Sequence, residues 1–318
     1  MLPTDLAEFA EESTFQRLGA TGDRIRRECA ELPPVPEWGR PRAILLVGAE
    51  ARLLRAALEV AAPCPVMAST NGRLPLWLGE SDLVVILDVT GSQLSAIRAT
   101  EMSRRRQTMQ VVVAPAGSPV AETAGSRAVF IADHSADPIV AVIAALAVLN
   151  QLGLSGDPNP DLCAEVADQV TGACSPLGPK GENLAAKIAE SLGAAVPLVW
   201  GGGMLAARAS RRVAEAIRRA SGEVALAADS EVLVSLIRDS ASRDPSRRPS
   251  LLLLTQENPD DMIQGEENEL IAAAATAEAN YQIIKSVGAR SGLANYVHWV
   301  LTGSYVAAYL AAVNGRLG

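Results

Sequence analysis

Three short stretches of this sequence carry residue types that could hold an anion or move a proton. The stretch Asp88-Val89-Thr90-Gly91-Ser92-Gln93-Leu94-Ser95 sets hydroxyls and a glycine between an aliphatic strand, Leu83 to Leu87, and a helical pattern beginning near Ser95. Side-chain O–H groups and free backbone N–H groups converge at such a turn, and the helix dipole favours a negative ligand. Thr90, Gly91, Ser92 and Ser95 therefore form a candidate phosphate site, although the same residues suit a plain N-cap turn. Gly201-Gly202-Gly203-Met204-Leu205-Ala206 fits the dinucleotide pattern G-x-G-x-x-A, with Asp229 after the next strand. It fits equally a close contact of helix on sheet, or a sugar-ring site. The helix that follows carries Arg208, Arg211, Arg212, Glu215, Arg218 and Arg219. Glu215 has arginines three and four residues away on both sides, so by default it is the centre of a solvated ion-pair face.

The elements that must position these residues come twice. Ala43 to Val47 is an aliphatic strand that breaks at Gly48 and passes into a helical pattern, Arg52 to Glu59; Pro197 to Trp200 breaks at Gly201 to Gly203 and passes into Leu205 to Ala220. Short strands follow in both halves, Cys64 to Ala68 and Asp82 to Leu87 in the first, Glu223 to Ala227 and Ser250 to Leu254 in the second. Strands alternating with helices at this spacing predict an α/β protein with two doubly wound parallel-sheet domains and right-handed crossovers. The expected boundaries are a helical extension over residues 1–32, a first α/β domain over 33–152 and a second over 162–318. The turn-rich linker Gly153 to Asp161 separates the two domains. The last segment, Arg290 to Asn314, reads as a long helix, interrupted or bent near Thr302 to Ser304.

Composition excludes several classes. A net charge of −8 argues against general nucleic-acid binding, which needs clustered positive charge. Arg104, Arg105 and Arg106 end a helix, where cations are favoured, and Arg243, Arg247 and Arg248 lie in a Ser/Pro loop; both runs are read as solvated surface. Cys29, Cys64, Cys163 and Cys174 show no zinc-site spacing and no disulfide density, so reduced core thiols are expected. His134 and His298 have no Cys or His at ligand spacing, and no metal or cofactor is expected. The longest apolar helical run, Ile139 to Leu149, falls short of the roughly 18 to 20 residues of a bilayer span, and residues 1–31 lack a signal-peptide core. The expectation is a cytoplasmic protein that engages neither membrane nor nucleic acid.

Several of these stretches resemble the bifunctional phosphoglucose/phosphomannose isomerases, proteins of two sugar isomerase (SIS) domains, and in particular a divergent actinobacterial branch of them. The family's phosphate loop S-Y-S-G-N-T corresponds to Asp88 through Gln93. Its helix motif R-W-K-T-Q-x-N-E has Arg208 and Glu215 at its two ends, and Asn183-Leu184-Ala185-Ala186-Lys187 is similar to its N-P-A-K. Its C-terminal G-D-x-x-S-x-Y-L-A is similar to Gly303, Ser304, Ala307, Tyr309, Leu310 and Ala311. The resemblance implies a homodimer with a ligand cleft between the domains, completed by a second subunit, that handles a small phosphorylated sugar: glucose or mannose 6-phosphate converted to fructose 6-phosphate. It implies that Thr90, Gly91, Ser92 and Ser95 hold phosphate, that Glu215 is the base, and that Arg208, Gly48, Gly201 and Gly202 shape the substrate site.

The departures are specific. Asp229, Ser230 and Glu231 stand where the family has its ring-opening histidine, Ile139 stands near its arginine, Ala49 and Glu50 replace its first-loop serine, and its terminal lysine would lie past Gly318. Aldose–ketose isomerisation needs a proton-carrying carboxylate, a ring-opening acid/base pair and a donor for the enediolate. Glu215 cannot supply all three, and His134 and His298 are the remaining imidazoles. The alternative is therefore a non-catalytic sugar-phosphate-binding or regulatory protein, with a dinucleotide-dependent oxidoreductase as a third reading.

Overall fold

Buried aliphatic runs ended by glycine or polar turns make the strands. The structure, a computed structural model, describes residues 2–3, 5–178, 181–193, 195–222, 224–241, 248–288 and 291–316. The chain divides into two compact units, residues 23–164 and residues 1–22 with 165–318. The first half carries α1 (Ser13–Gly19), α2 (Thr21–Ala30), β1 (Ile44–Val47), α3 (Ala51–Leu58), β2 (Val66–Ser69), β3 (Leu83–Leu87), α4 (Leu94–Arg105), β4 (Met109–Ala114), α5 (Pro119–Ala124), β5 (Val129–Ala132) and α6 (Pro138–Gln151). Its strands form one parallel sheet in the order β2-β1-β3-β4-β5, with Val47 beside Ile86 and Ile86 beside Val112. Every residue of β1 and β3 is buried, as strands covered on both faces require. On one face Val84, Ile86, Val112 and Ala114 meet Ala96 and Ala99 of α4 and Val120 and Ala124 of α5. The other is covered by α3 and α6; Val140 to Leu149 of α6 are all buried, the pattern of a helix apolar all round.

The second half repeats the plan with α7 (Pro160–Cys174), α8 (Leu184–Leu192), β6 (Pro197–Gly201), α9 (Met204–Ser221), β7 (Leu226–Ala227), α10 (Ser230–Ser240), β8 (Ser250–Thr255), α11 (Asp261–Thr276), β9 (Tyr281–Lys285) and α12 (Gly292–Val313). The sheet order β7-β6-β8-β9 matches the first four strands of the other sheet. One face of β6 and β8, with Leu198, Trp200, Leu251 and Leu253, meets Leu233 and Ile237 of α10 and Ile263 and Leu270 of α11. Of the expected features in this half, Glu223, Arg243, Arg247 and Arg290 lie outside the described residues.

Three sequence expectations change. Helix α12 is continuous over 22 residues, with no break at Thr302 to Ser304. Gly303 is instead a contact point, because a Cβ there would lie 2.4 Å from Val213 Cγ2 of α9. The helix is also longer than the run Ile139 to Leu149, and it is long and apolar enough to cross a membrane, with 78% of its apolar window buried inside the protein. Finally, residues 1–22 group with the second sheet and not as a separate extension. Phe15, 3% exposed, packs its ring 6.2 Å from Tyr305 and 4.9 Å from Tyr309 of α12, and the unit divisions fall inside α2 and α7.

One buried amide ties three helices of the second unit. Asn183 donates from Nδ2 to the carbonyls of Cys174 and Ser175, both at 3.0 Å, and lies 2.9 Å from the Tyr309 hydroxyl. Its Oδ1 accepts from the Ala186 N–H at 2.9 Å, capping α8, while Tyr309 donates to the Cys174 carbonyl at 2.9 Å. Replacing Asn183 by Leu is expected to cost about 2–4 kcal/mol, the sum of a lost N-cap and buried acceptors left without donors. Urea unfolding followed by circular dichroism measures this; a loss under about 0.5 kcal/mol, the range of an inert surface substitution, would contradict it.

Candidate functional site

Parallel sheets of this order gather strand C-termini and helix N-termini along one edge, and ligands bind where the strand order reverses. In the first unit that place lies between β1 and β3. Gly48 ends β1 with φ 128°, and a Cβ on it would lie 2.1 Å from the Leu87 carbonyl oxygen. Its glycine is thus required by the neighbouring strand. Gly91, at φ 65°, is likewise pressed on Ser118, 2.4 Å from the position its Cβ would take.

Between them Asp88 is 1% exposed and holds the turn from inside. Its Oδ1 accepts from the Thr90 N–H at 3.0 Å and from the Thr90 hydroxyl at 2.7 Å, and its Oδ2 accepts from the Gln93 N–H at 2.9 Å. The Gly91 N–H bonds the Asp88 carbonyl at 3.0 Å, and the Ser92 N–H approaches Thr90 Oγ1 at 3.4 Å. The N–H groups of Thr90 to Gln93 are therefore already engaged, whereas the first turn of α4, from Leu94, has no side-chain cap. The Thr90 hydroxyl donates its hydrogen bond to Asp88, and a carboxylate occupies the position where the resembled family has serine. Ser92 is exposed, its hydroxyl 3.4 Å from Thr90 Oγ1, and Ser95 is half-buried at the start of α4.

In the second unit the glycines again answer to close contacts. A Cβ on Gly201 would meet the Ala206 carbonyl oxygen at 2.2 Å, and one on Gly202 would meet Ile263 Cγ2 at 2.4 Å. Gln256 donates from Nε2 to the Gly202 carbonyl at 3.1 Å. The G-x-G-x-x-A pattern is explained by helix-on-sheet contact. Beside it lies a cavity of about 260 Å³ bounded by Gly203, Met204, Ser210, Arg211, Asp229, Ser230 and Glu266, among others. Neither N-terminus on this cavity is capped by a side chain: Gly203 has none for α9, and the Asp229 carboxylate makes no cap bond for α10. Arg211 Nη2 lies 3.9 Å from Asp229 Oδ1. In sequence Asp229 stands out as the acidic residue of the dinucleotide pattern and, with Ser230, as a departure from the resembled family; a short strand followed by Asp-Ser at a helix start is the signal that marks them as lining residues.

Glu215 does not line this cavity, nor does Arg208, although seven residues put the two on one face of α9. Glu215 is half-buried, its Oε1 2.6 Å from Arg219 Nη2 in an i,i+4 ion pair.

The histidines are differently placed. His134 is exposed, and its N–H donates to the Glu28 carboxylate at 3.0 Å. His298 is largely buried on α12, where burial holds its pKa below the usual imidazole value against a hydrogen bond to the Lys285 backbone. Burial pushes the thiols of Cys29 and Cys163 up to about 12 and that of Cys174 up to about 11, so these three are not thiolate nucleophiles at neutral pH. Among the described residues no cluster of three or more His, Cys, Asp or Glu could hold a metal.

Glu28 carries a pH signature. It is 4% exposed, and burial raises its pKa above 4.5 despite the His134 N–H, with Asp133 adding repulsion. The folded state thus binds a proton that the unfolded state releases, so this group's stabilising share is complete below 4.5 and falls as pH rises through the raised folded value. Glu28→Gln is expected to melt above the parent at pH 7 and to converge with it under acid conditions. Parallel melting curves at both pH values would contradict this.

These two parallel α/β units have the SIS-type architecture. Residues 181–316 match the family model for the bacterial phospho-glucose isomerase C-terminal SIS domain. The chain is similar to the C-terminal domain of glucosamine-fructose-6-phosphate aminotransferase from Francisella tularensis, at TM-score 0.71 and 11% identity, over 96% of each chain. It is similar also to a glucose-6-phosphate isomerase like protein from Thermus thermophilus, at 0.61 and 18%, over 99% of this chain and 94% of that one. Glucosamine-6-phosphate deaminase from Thermotoga maritima matches at 0.66 and 10%, over 95% of each. No curated protein matches the chain in sequence.

Asp88→Ser should free the Thr90 and Gln93 N–H groups for an outside anion. The expected result is at least a tenfold gain in affinity for inorganic phosphate, about 1.4 kcal/mol, measured by calorimetry. Equal affinities in parent and variant would show that the carboxylate is not what closes the turn.

Proposed function

We propose that this protein binds a hexose 6-phosphate, and that it does so as a binding or regulatory protein without the isomerase chemistry. The observation that carries the reading is the second-unit cavity, where the uncapped N-termini of α9 and α10 meet Arg211. Two positive helix ends and a guanidinium suit a phosphate. The carboxylates of Asp229 and Glu266 and the hydroxyls of Ser210 and Ser230 suit sugar hydroxyls. The similar solved proteins support the ligand class, since the names of all three carry a phosphorylated hexose while their chemistries differ. Against isomerisation stand the place of Glu215 on α9, outside the cavity and paired with Arg219, and the carboxylate and hydroxyl where the family has its ring-opening histidine. A homodimer in the cytoplasm completes the proposal, on the strength of the resemblance and the sequence.

The second reading, an isomerase of glucose or mannose 6-phosphate with Glu215 as base, is favoured by Arg208 and Glu215 keeping the family's spacing on one face of α9 and by the family-model match over residues 181–316.

A thermal-shift and turnover panel with glucose, mannose and fructose 6-phosphates separates the two. A hundredfold excess over Kd should stabilise the protein by about 2.7 kcal/mol, Arg211→Ala should weaken binding at least tenfold, and no turnover should appear. Glu215→Gln should bind as the parent does, losing only a few tenths of a kcal/mol with its exposed partner. Isomerase turnover abolished by Glu215→Gln would establish the second reading, and no stabilisation by any hexose phosphate would contradict both.

A further inference from the structure

A second cavity, of about 630 Å³, opens at the opposite, amino-terminal edge of the first sheet. Its walls come from the segment before β1 (Trp38), the turn before β3 (Glu80, Ser81), the end of α4 (Arg104), the start of β4 (Gln110) and the turn before β5 (Arg127). All belong to the unit formed by residues 23–164, away from the strand ends considered above. The size lies within the roughly 300–1,000 Å³ of small-ligand sites.

Three features of the wall point to a ligand. Gln110 is 5% exposed, and its Oε1 is buried with no hydrogen-bond partner. Strand alternation puts Gln110 on the same side as Val112 and Ala114, the side covered by α4 and α5, so an amide stands where the strand otherwise carries apolar side chains. A buried acceptor without a donor is costly, and a bound N–H would satisfy it. Second, two cations line the cavity without ion pairs. Arg105 pairs with Glu101 at 2.6 Å and Arg106 donates to the Pro75 carbonyl at 2.5 Å, whereas among the described residues neither Arg104 nor Arg127 forms a salt bridge. The Arg104 stem lies across Gly125, 3.3 Å from where a Cβ would sit, which fixes its course. Among the described residues Glu80 is the only other charged group on the wall. Third, Trp38 is a half-buried lining residue whose indole offers a ring surface.

We propose that this cavity binds a nucleoside 5′-monophosphate whose base carries an exocyclic amino group. The base stacks on Trp38 and donates its amino N–H to Gln110 Oε1, the phosphate meets Arg104 and Arg127, and Glu80 and Ser126 accept from ribose hydroxyls. An indole face is tolerant of the base, and the amide oxygen selects for the amino donor.

Calorimetry on the full chain with AMP tests this, with adenosine, inorganic phosphate and purine riboside 5′-monophosphate, which lacks the amino group, as separate arms. AMP should bind saturably, and each of the other three at least tenfold more weakly. Arg127→Ala and Trp38→Ala, at exposed and half-buried positions outside regular structure, should each weaken AMP at least tenfold without moving Tm; Gln110→Met should abolish the preference for AMP over purine riboside 5′-monophosphate. No saturable heat with AMP in the millimolar range, or AMP affinity unchanged by Arg127→Ala and Trp38→Ala, overturns the proposal. So does displacement of AMP by fructose 6-phosphate, which would make the two ligands share one site. Failure here leaves the hexose-phosphate reading intact, because that ligand is titrated separately and responds to Arg211→Ala.

Discussion

The Asp88 carboxylate governs the carboxyl edge of the first sheet. At the end of a fully buried strand it takes the Thr90 and Gln93 amides and the Thr90 hydroxyl, and so turns the chain from β3 into α4 without help from an outside anion. Buried carboxylates persist when their lone pairs are met by donors, and here the donors come from the five residues that follow it. The same bonds that stabilise the turn engage two N–H groups that an anion would otherwise use. Helix α4, like α9 and α10, has no side-chain cap; what distinguishes the second sheet is that two such helix ends share one cavity with Arg211.

The second unit shows a similar division between framework and site. Asn183 and Tyr309, which belong to two of the stretches that resemble the sugar isomerase family, meet each other at 2.9 Å inside the protein. Gly303, from the same C-terminal stretch, lets α12 lie against Val213 of α9. Gly201 and Gly202 are fixed by Ala206, Ile263 and Trp200. These likenesses are explained by how the unit is built. Two of the differences from that family, Asp88 in the first turn and Asp229-Ser230 after β7, fall on the two carboxyl edges, where chemistry would be decided.

Much of this architecture is legible in the order of residues. An aliphatic run broken by glycine and followed by a helical pattern, met twice, is enough to expect two parallel sheets, because period and punctuation are local. The pairing of a side chain with its surroundings is not local. Asp88 reads as the start of a hydroxyl-rich turn until its carboxylate is seen facing inward. Glu215 looks central among arginines; it pairs with Arg219, and its place on α9 leaves it outside the cavity. Gly303 suggests a bend by composition and proves to be a helix contact. Phe15 gives no hint in sequence that it docks on Tyr309. Gln110, one polar residue in an aliphatic strand, is visible in the sequence but acquires meaning only beside Arg104, Arg127 and Trp38.

The proposed hexose-phosphate site lies at the α9/α10 edge of the second unit and not at the Asp88 turn. Amide chemical-shift perturbation during a titration with fructose 6-phosphate tests it most directly, because it reads both edges in one experiment. Saturable shifts are expected at Met204, Arg211, Asp229 and Ser230, with Thr90 and Gln93 unmoved. Saturable shifts confined to Thr90 through Ser95, with the α9 and α10 amides silent, would contradict it.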